Sequence, residues 1–341
     1  MARTNITIND IAKELNVAPS TVSRALNNSP KISEDTKNRI RETARSLGYD
    51  LNMIASGLSR QQSNIIGVVI PSIDRHFFSQ VVGGIEEMAF KSGYRVLISQ
   101  THDSREREED AMRMLTGARV DGIIACPGLS VQDHTHLQKI TQNGIPLVLF
   151  DQVAYDVDCF KIMIDNYSAA YEAVTHLART GCKKIAYLGG PYGNALFDER
   201  ARGYREALAH SDLSLPEKYF FSSDLTPDDT AEAIRIWLSL KETPDAILTG
   251  DSFSALLVQK AVQEAGLKIP DDISIVAFGS EPAHQFVSPQ ISAIEMPGKE
   301  IGHSAIQFVL NEIQNKPNEC NTIIHPYNLI IRNSSFQTMD D

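Results

Sequence analysis

The stretch Thr7-Ile8-Asn9-Asp10-Ile11-Ala12-Lys13-Glu14-Leu15-Asn16-Val17-Ala18-Pro19-Ser20-Thr21-Val22-Ser23-Arg24-Ala25-Leu26 decides how this chain begins. Ile8, Ile11, Ala12 and Leu15 recur at helical spacing and predict a first helix over about 8–15. Thr7 before it, with Asp10 three residues on, has the form of a capping box in which Asp replaces the usual Glu. Asn16-Val17-Ala18 makes a short turn. Pro19 then stands at a first helical position, where its missing N–H costs nothing. A second helix over 19–26 turns Val17, Val22 and Leu26 toward the first, and Asn27-Asn28-Ser29-Pro30 ends it. Ser33 caps a third helix at about 34–47, with Ile40, Ala44 and Leu47 inward and Gly48 as its stop. Two short helices joined by a tight turn, with small polar residues opening the second, suit the major groove of DNA. Short side chains let the helix in, and their donors and acceptors meet base edges. Spacing alone leaves a generic three-helix bundle equally open.

Charge supports the groove reading weakly. The chain of 341 residues carries a net −11, but residues 1–62 are +3 and the remainder is −14. A basic head on an acidic body is an electrostatic footprint for nucleic acid. The length calls for two or three domains. No apolar run approaches the ~18 residues of a membrane span, and Met1-Ala2-Arg3-Thr4-Asn5 leads into polar sequence, so a cytoplasmic protein with no membrane contact is expected. The four cysteines, Cys126, Cys159, Cys182 and Cys320, are scattered, which argues against a zinc site or a disulfide framework. No cofactor is expected.

From Asn64 the pattern changes. Ile65-Ile66-Gly67-Val68-Val69-Ile70 is an apolar run closed by Pro71, as in a buried parallel strand. A helical pattern (Phe78, Val81, Val82, Ile85, Met88, Ala89) follows, then strands at 95–99, 122–125 and 146–150 separated by further helical stretches. After a helix at about 167–180 the alternation restarts, with strands at 184–188, 246–249 and 273–278. This is an α/β body of two doubly wound lobes. Ligands of such folds bind outside the carboxyl ends of the strands, so two facing lobes predict a small-molecule cleft that closes by a hinge.

Between head and body, Asn52 caps a short helix candidate, Asn52–Arg60, that is too short to be stable alone and is weakened by Gly57. A flexible tether is the other reading.

Thr7–Ala12, Val17–Asn27, Ile32-Ser33, Gly48-Tyr49 and Asn52 resemble, in register, the start of the lactose-repressor/galactose-repressor (LacI/GalR) family of bacterial transcription regulators. The resemblance runs on to about Arg332. It implies a helix-turn-helix DNA-binding domain at 1–49, a hinge helix at 50–63, and a periplasmic-binding-protein-like effector and dimerisation domain at 64–341. It implies crossovers near 160–164, 289–293 and 321–324, hence a first lobe of 64–161 plus 292–321 and a second of 162–291 plus 322–341. The family's main base-reading positions fall on Pro19, Ser20 and Arg24. Arg24 has the chemistry to take guanine bidentately, worth roughly 1–3 kcal/mol of discrimination. Thr7, Thr21, Ser23 and Asn27 have the chemistry of phosphate contacts, which position without specifying. Leu58 matches a leucine wedge for the minor groove.

In the body, the resemblance places His76, Phe77 and Phe78 in the effector pocket, with Cys126, the cleft acid Asp151 and the effector-binding Arg200. Gly250-Asp251 replaces the family's usual Asn-Asp. Gly279-Ser280 stands where many members carry a sugar-gripping aspartate. The expected protein is a homodimeric repressor of a pseudo-palindromic operator in double-stranded DNA, controlled by a sugar or sugar derivative. The rival is an enzyme on a doubly wound fold with an autoregulatory DNA-binding head, but no G-x-S-x-G or H-E-x-x-H motif is present. Asp133-His134-Thr135-His136 reads as a solvated helix face, and Gly189-Gly190-Pro191 as a plain strand exit.

Overall fold

The computed structural model describes residues 6–26, 29–49, 62–129, 133–318 and 320–336. The chain divides into two compact units, residues 1–63 and 64–341.

The first unit holds α1 (Ile8–Glu14), α2 (Pro19–Leu26) and α3 (Glu34–Ser46). Ile11, Ala12, Val22, Ala25, Ile40 and Ala44 form its small core. α1 begins where the Thr7 N–H donates to the Asp10 carboxylate at 2.8 Å. α3 begins where the Ser33 hydroxyl accepts the Thr36 N–H and ends before Gly48, whose φ of +70° suits a residue without Cβ.

The second unit is two parallel sheets, each of six strands. The first lobe contains β1 (Ile65–Ile70), α4 (His76–Lys91), β2 (Arg95–Gln100), α5 (Arg105–Gly117), β3 (Gly122–Ala125), α6 (Thr135–Gln142), β4 (Leu147–Phe150) and β5 (Phe160–Ile164). The second contains α7 (Asn166–Arg179), β6 (Ile185–Gly189), α8 (Ala195–His210), β7 (Phe220–Ser222), α9 (Pro227–Ser239), β8 (Ala246–Thr249), α10 (Ser252–Glu264), β9 (Ser274–Phe278) and β10 (Ser292–Glu295). The chain then returns through α11 (Gly298–Ile313) and β11 (Thr322–His325) to the first lobe, and crosses once more to β12 (Asn328–Ile330). The sheet orders are β11-β5-β4-β3-β1-β2 and β12-β10-β9-β8-β6-β7. All pairs are parallel except β10 with β12. Strands covered on both faces need continuous apolar sequence, and β3, β4, β6, β8 and β9 are buried at every residue.

The crossovers correct the expected lobe boundaries. β5 and β11 pair with each other in the first sheet and β10 pairs with β9 in the second. The chain therefore changes lobe after Ile164, Glu295 and His325, a few residues later than anticipated. Backbone pairing draws each strand fully into one sheet before the chain departs.

The returning α11 lies against α4 at close range. A Cβ on Gly302 would collide with the Val81 carbonyl oxygen, and one on Gly84 with that of Lys299. This reciprocal pair of glycines locks the third segment onto the first lobe. No described helix is long and apolar enough to cross a membrane.

Candidate nucleic-acid interface and effector cleft

In the head, α2 buries Val22 and Ala25 and exposes Pro19, Ser20 and Arg24. Helical periodicity thus separates the packing residues from those expected to meet bases. Arg24, in the last turn, makes no ion pair among the described residues, so its fork of donors is free for a base edge. Thr21 and Ser23 flank this face, half-buried. Thr7 is exposed, but its hydroxyl donates to the Asp10 carboxylate at 2.7 Å. That bond and the backbone N–H bond from Thr7 hold the Asp10 carboxyl below its ordinary range. Thr7 therefore spends its side-chain proton on the cap, leaving only acceptor capacity for other partners. Asn27 and Leu58 lie outside the described residues.

In the body, a cavity lies between the lobes. Much of its lining comes from the segments that follow strands: Pro71 after β1, Asp103 after β2, Asp151 after β4, Leu225 after β7, Gly250 after β8 and Gly279 after β9. This is where parallel strands leave their carboxyl ends open to a ligand. The phenyl rings of Phe77, Phe78, Phe197 and Phe278 supply apolar walls.

Arg200 is the most constrained polar group in it. The residue is 4% exposed. Its Nε donates to Asn166 Oδ1 and its Nη1 to the Gly250 carbonyl, both at 2.8 Å. The guanidinium carbon sits 3.9 Å from the centroid of the Phe278 ring. Fixed on three sides, Arg200 has no hydrogen bond from Nη2 among the described residues. Burial lowers its pKa, yet a guanidinium stays charged. Asp151 has a φ of 61°, in the left-handed region that non-glycine residues enter at a cost. Its carboxylate has no hydrogen-bond partner among the described residues; burial pushes its pKa up, with Arg200 partly opposing.

Two helix caps of the second lobe also hold the first. Asp251 accepts the Ser254 N–H at the start of α10 through Oδ1, while its Oδ2 pairs with Arg75 Nη1 at 3.0 Å. Asn194 accepts the Leu196 N–H at the start of α8, and its Nδ2 donates to Gln152 Oε1 at 3.0 Å and to the Leu129 carbonyl. The lobes are thus latched at two points, each through a helix-cap side chain of the second lobe.

Of the residues expected here, Phe77, Phe78, Asp151, Arg200, Asp251, Gly279 and Ser280 line the cavity. His76 and Cys126 do not. His76 occupies the first position of α4, and the ~100° rotation per residue separates it from Phe77 and Phe78. Cys126 is fully buried in the first lobe's core beside Phe78 and Phe150, and its thiol donates to the Pro127 carbonyl. Burial pushes that thiol's pKa well up, which leaves it inert. Gly279 has a φ of +80°, so an aspartate there would be strained; Glu281, two residues on, brings a carboxylate to the cavity instead, accepting the Ser252 hydroxyl at 2.8 Å. Sequence reasoning missed Arg75, Asp103, Gln152, Asn194 and Glu281. All lie within six residues of a strand end, which is the signal that would have found them.

His134 and His136 are not a solvated face. His134 meets Asp156 at 2.8 Å, and His136 meets the fully buried Glu108 at 2.7 Å. Glu108 in turn accepts the Gly128 N–H, so it holds the loop that follows β3.

Residues 7–52 match the family model described as bacterial regulatory proteins, lacI family, and residues 174–335 match a periplasmic binding protein-like domain. Catabolite control protein A of Priestia megaterium is 31% identical over 336 residues, covering 97% of this chain and 99% of that one. The HTH-type transcriptional repressor CytR of Escherichia coli (strain K12) is 30% identical over 332 residues, 97% of each. The lac repressor dimer bound to operator and the anti-inducer ONPF has the same fold, with a TM-score of 0.85 at 23% identity over 98% of this chain and 100% of that one. With a helix-turn-helix head and a two-lobed effector-binding domain that continuous similarity spans, the chain belongs to the lacI family of bacterial regulatory proteins and is a DNA-binding transcription regulator.

Proposed function

We propose that the chain is a dimeric repressor that reads a two-fold operator through Pro19, Ser20 and Arg24 of each head, and that a sugar or sugar derivative in the inter-lobe cavity sets its DNA affinity. The observation that carries the second half is the buried Arg200, stacked on Phe278 and aimed into a cavity built at the strand ends of both lobes. Aromatic faces take the apolar side of a sugar ring, and Arg200, Asp151 and Gln152 take its hydroxyls. Two structural relatives are described as a CelR–cellobiose complex and as a complex with D-xylulofuranose, which supports this ligand class.

The partner face is read from the first sheet's edge. β2 is an edge strand that leaves Leu97 and Ile98 exposed, with Ile73 and Met114 also exposed in this lobe. Exposed apolar edge strands call for a cover, and a second copy supplies it. Leu58 then works as a minor-groove wedge in each of two paired hinges. We read the protein as acting in the cytoplasm and as turning over no cleft ligand. Gel shifts on operator and random duplex test the head: Leu58→Ala should weaken operator binding far more than random binding, and equal losses would reject the wedge. Thermal shift against a sugar panel tests the cavity, and chemical turnover of a bound sugar would favour the enzyme reading.

A further inference from the structure

The charges around the inter-lobe cavity do not cancel. Of its two guanidiniums, Arg75 is paired with Asp251. Arg200 has neutral hydrogen-bond partners, and its charge is answered by the nearby, otherwise unpartnered carboxylate of Asp151. Asp103 and Glu281 then remain as lining acids that form no ion pair among the described residues, although Asp103 lies within the field of Arg75. Each uses one oxygen on a neutral donor: Asp103 Oδ1 accepts the Leu129 N–H at 3.1 Å, and Glu281 Oε1 accepts the Ser252 hydroxyl. Asp103 Oδ2 is left over among the described residues, and the Glu281 carboxylate, which also faces the His284 N–H in a capping box, meets no cation there.

Both residues also line a wider vestibule at the mouth of the cavity. There Asp74 and Asp224 add two further acids, and besides the committed Arg75 only His102 stands against them. Cavity and mouth therefore carry the same sign. Apolar walls focus such a field, drawing cations inward and repelling anions. A phosphate ester needs a free guanidinium fork or a cluster of N–H groups, and the guanidinium at this mouth is already taken. Burial raises the carboxyl pKa of Asp103, with the Leu129 N–H and the charge of Arg75 only partly opposing it.

We propose that the effector of this chain is a cationic polyhydroxy compound, an amine-bearing sugar, whose ring lies in the phenyl-walled cavity and whose ammonium sits at the junction lined by Asp103 and Glu281. The proposal rests on the effector cleft proposed above and adds the charge of its occupant. Arg200 and Asp151 take ring hydroxyls, and the carboxylates of Asp103 and Glu281 take the ammonium.

The test uses the full-length protein and matched sets of hexoses in the gluco, galacto and manno series. Each set holds the parent sugar, its 2-amino and 3-amino derivatives, the N-acetyl forms of those amines, and the 6-phosphate. Thermal shift selects binders and calorimetry ranks them. At least one free amine should bind about tenfold or more tighter than both its parent and its N-acetyl form, the latter keeping the nitrogen but losing the charge. The 6-phosphate of that set should give no shift. Glu281→Gln and Asp103→Asn should each shrink the amine-to-parent ratio by about threefold or more, and raising salt should shrink it in the wild type. Tightest binding by a neutral or phosphorylated member overturns the charge assignment and leaves the effector cleft standing. A panel in which no sugar of any charge binds overturns the sugar-effector reading and this proposal with it.

Discussion

The head and the body build recognition surfaces by opposite routes. In the head, one eight-residue helix carries it: α2 buries Val22 and Ala25 and offers Pro19, Ser20 and Arg24 outward. In the body, the surface is a cavity assembled from the ends of strands in two lobes, closed by the Arg75–Asp251 and Asn194–Gln152 bridges. A surface on one helix tolerates change at any exposed position, because nothing else depends on it. A surface assembled from many segments depends on each bond that aims its parts. The two regions should therefore fail differently under mutation.

The largest effect is expected in the body. Arg200→Met leaves Asn166 Oδ1 and the Gly250 carbonyl without their donor and removes the charge stacked on Phe278. Loss of one member of a buried, hydrogen-bonded charged group costs about 2–5 kcal/mol of binding. Calorimetry should show effector affinity falling by about thirtyfold or more, together with a lowered melting temperature of the body. An unchanged affinity would remove Arg200 from the site.

Next is Arg24→Ala. Arg24 is exposed and makes no ion pair among the described residues, so the head should keep its melting temperature. Operator affinity should fall by about 1–3 kcal/mol, with discrimination lost at one base pair per half-site. Anisotropy titrations on single-base operator variants check this, and a uniform loss across all positions would make Arg24 a phosphate contact.

A smaller effect separates the latch from the ligand. Arg75→Ala and Asn194→Ala each remove one bridge between the lobes, worth about 1 kcal/mol apiece. The double variant should scatter with a larger radius of gyration than wild type in the absence of ligand, and ligand should restore it. Identical scattering curves would show that the bridges do not hold the lobes closed.

The smallest effect concerns Asp151, whose pKa burial raises in the folded state. The folded protein thus holds this proton more tightly than the unfolded chain. Stability is lost as pH rises from the usual carboxylate range through the folded value, and it returns as pH falls. Asp151→Asn should raise the body's melting temperature by about 2 °C at neutral pH, with the gain vanishing in acid. Glu87 has the opposite sign: hydrogen bonds from Lys299 and Lys91 hold it at about 2, so its contribution is full above the ordinary carboxylate range and is lost progressively as pH falls toward 2. A gain for Asp151→Asn that persists at low pH would point to packing instead of charge.

The same contrast explains what could be read from sequence. The three head helices follow from local spacing, since their caps, turn and inward faces lie within a few residues of one another. The strands buried on both faces announce themselves as apolar runs, so both lobes were legible. β5, β10 and β11 were harder, because partners far along the chain decide which sheet each joins. Phe77, Asp151 and Arg200 were reachable through family resemblance. Arg75, Asp103, Asn194 and Glu281 were not, because they act only once sheet order and lobe closure bring separate loops together. Cys126 was misplaced for the converse reason: a residue that closely follows a strand can still turn into the core.

The central claim is that a ligand in the body's cavity governs the head's grip on DNA. The direct measurement is the anisotropy-derived Kd of full-length protein for an operator duplex selected from random sequence, with and without a saturating cavity ligand. A ligand-induced change of about fivefold or more is expected, and it should disappear in Arg200→Met. An operator Kd unmoved by a ligand shown to fill the cavity would contradict that claim.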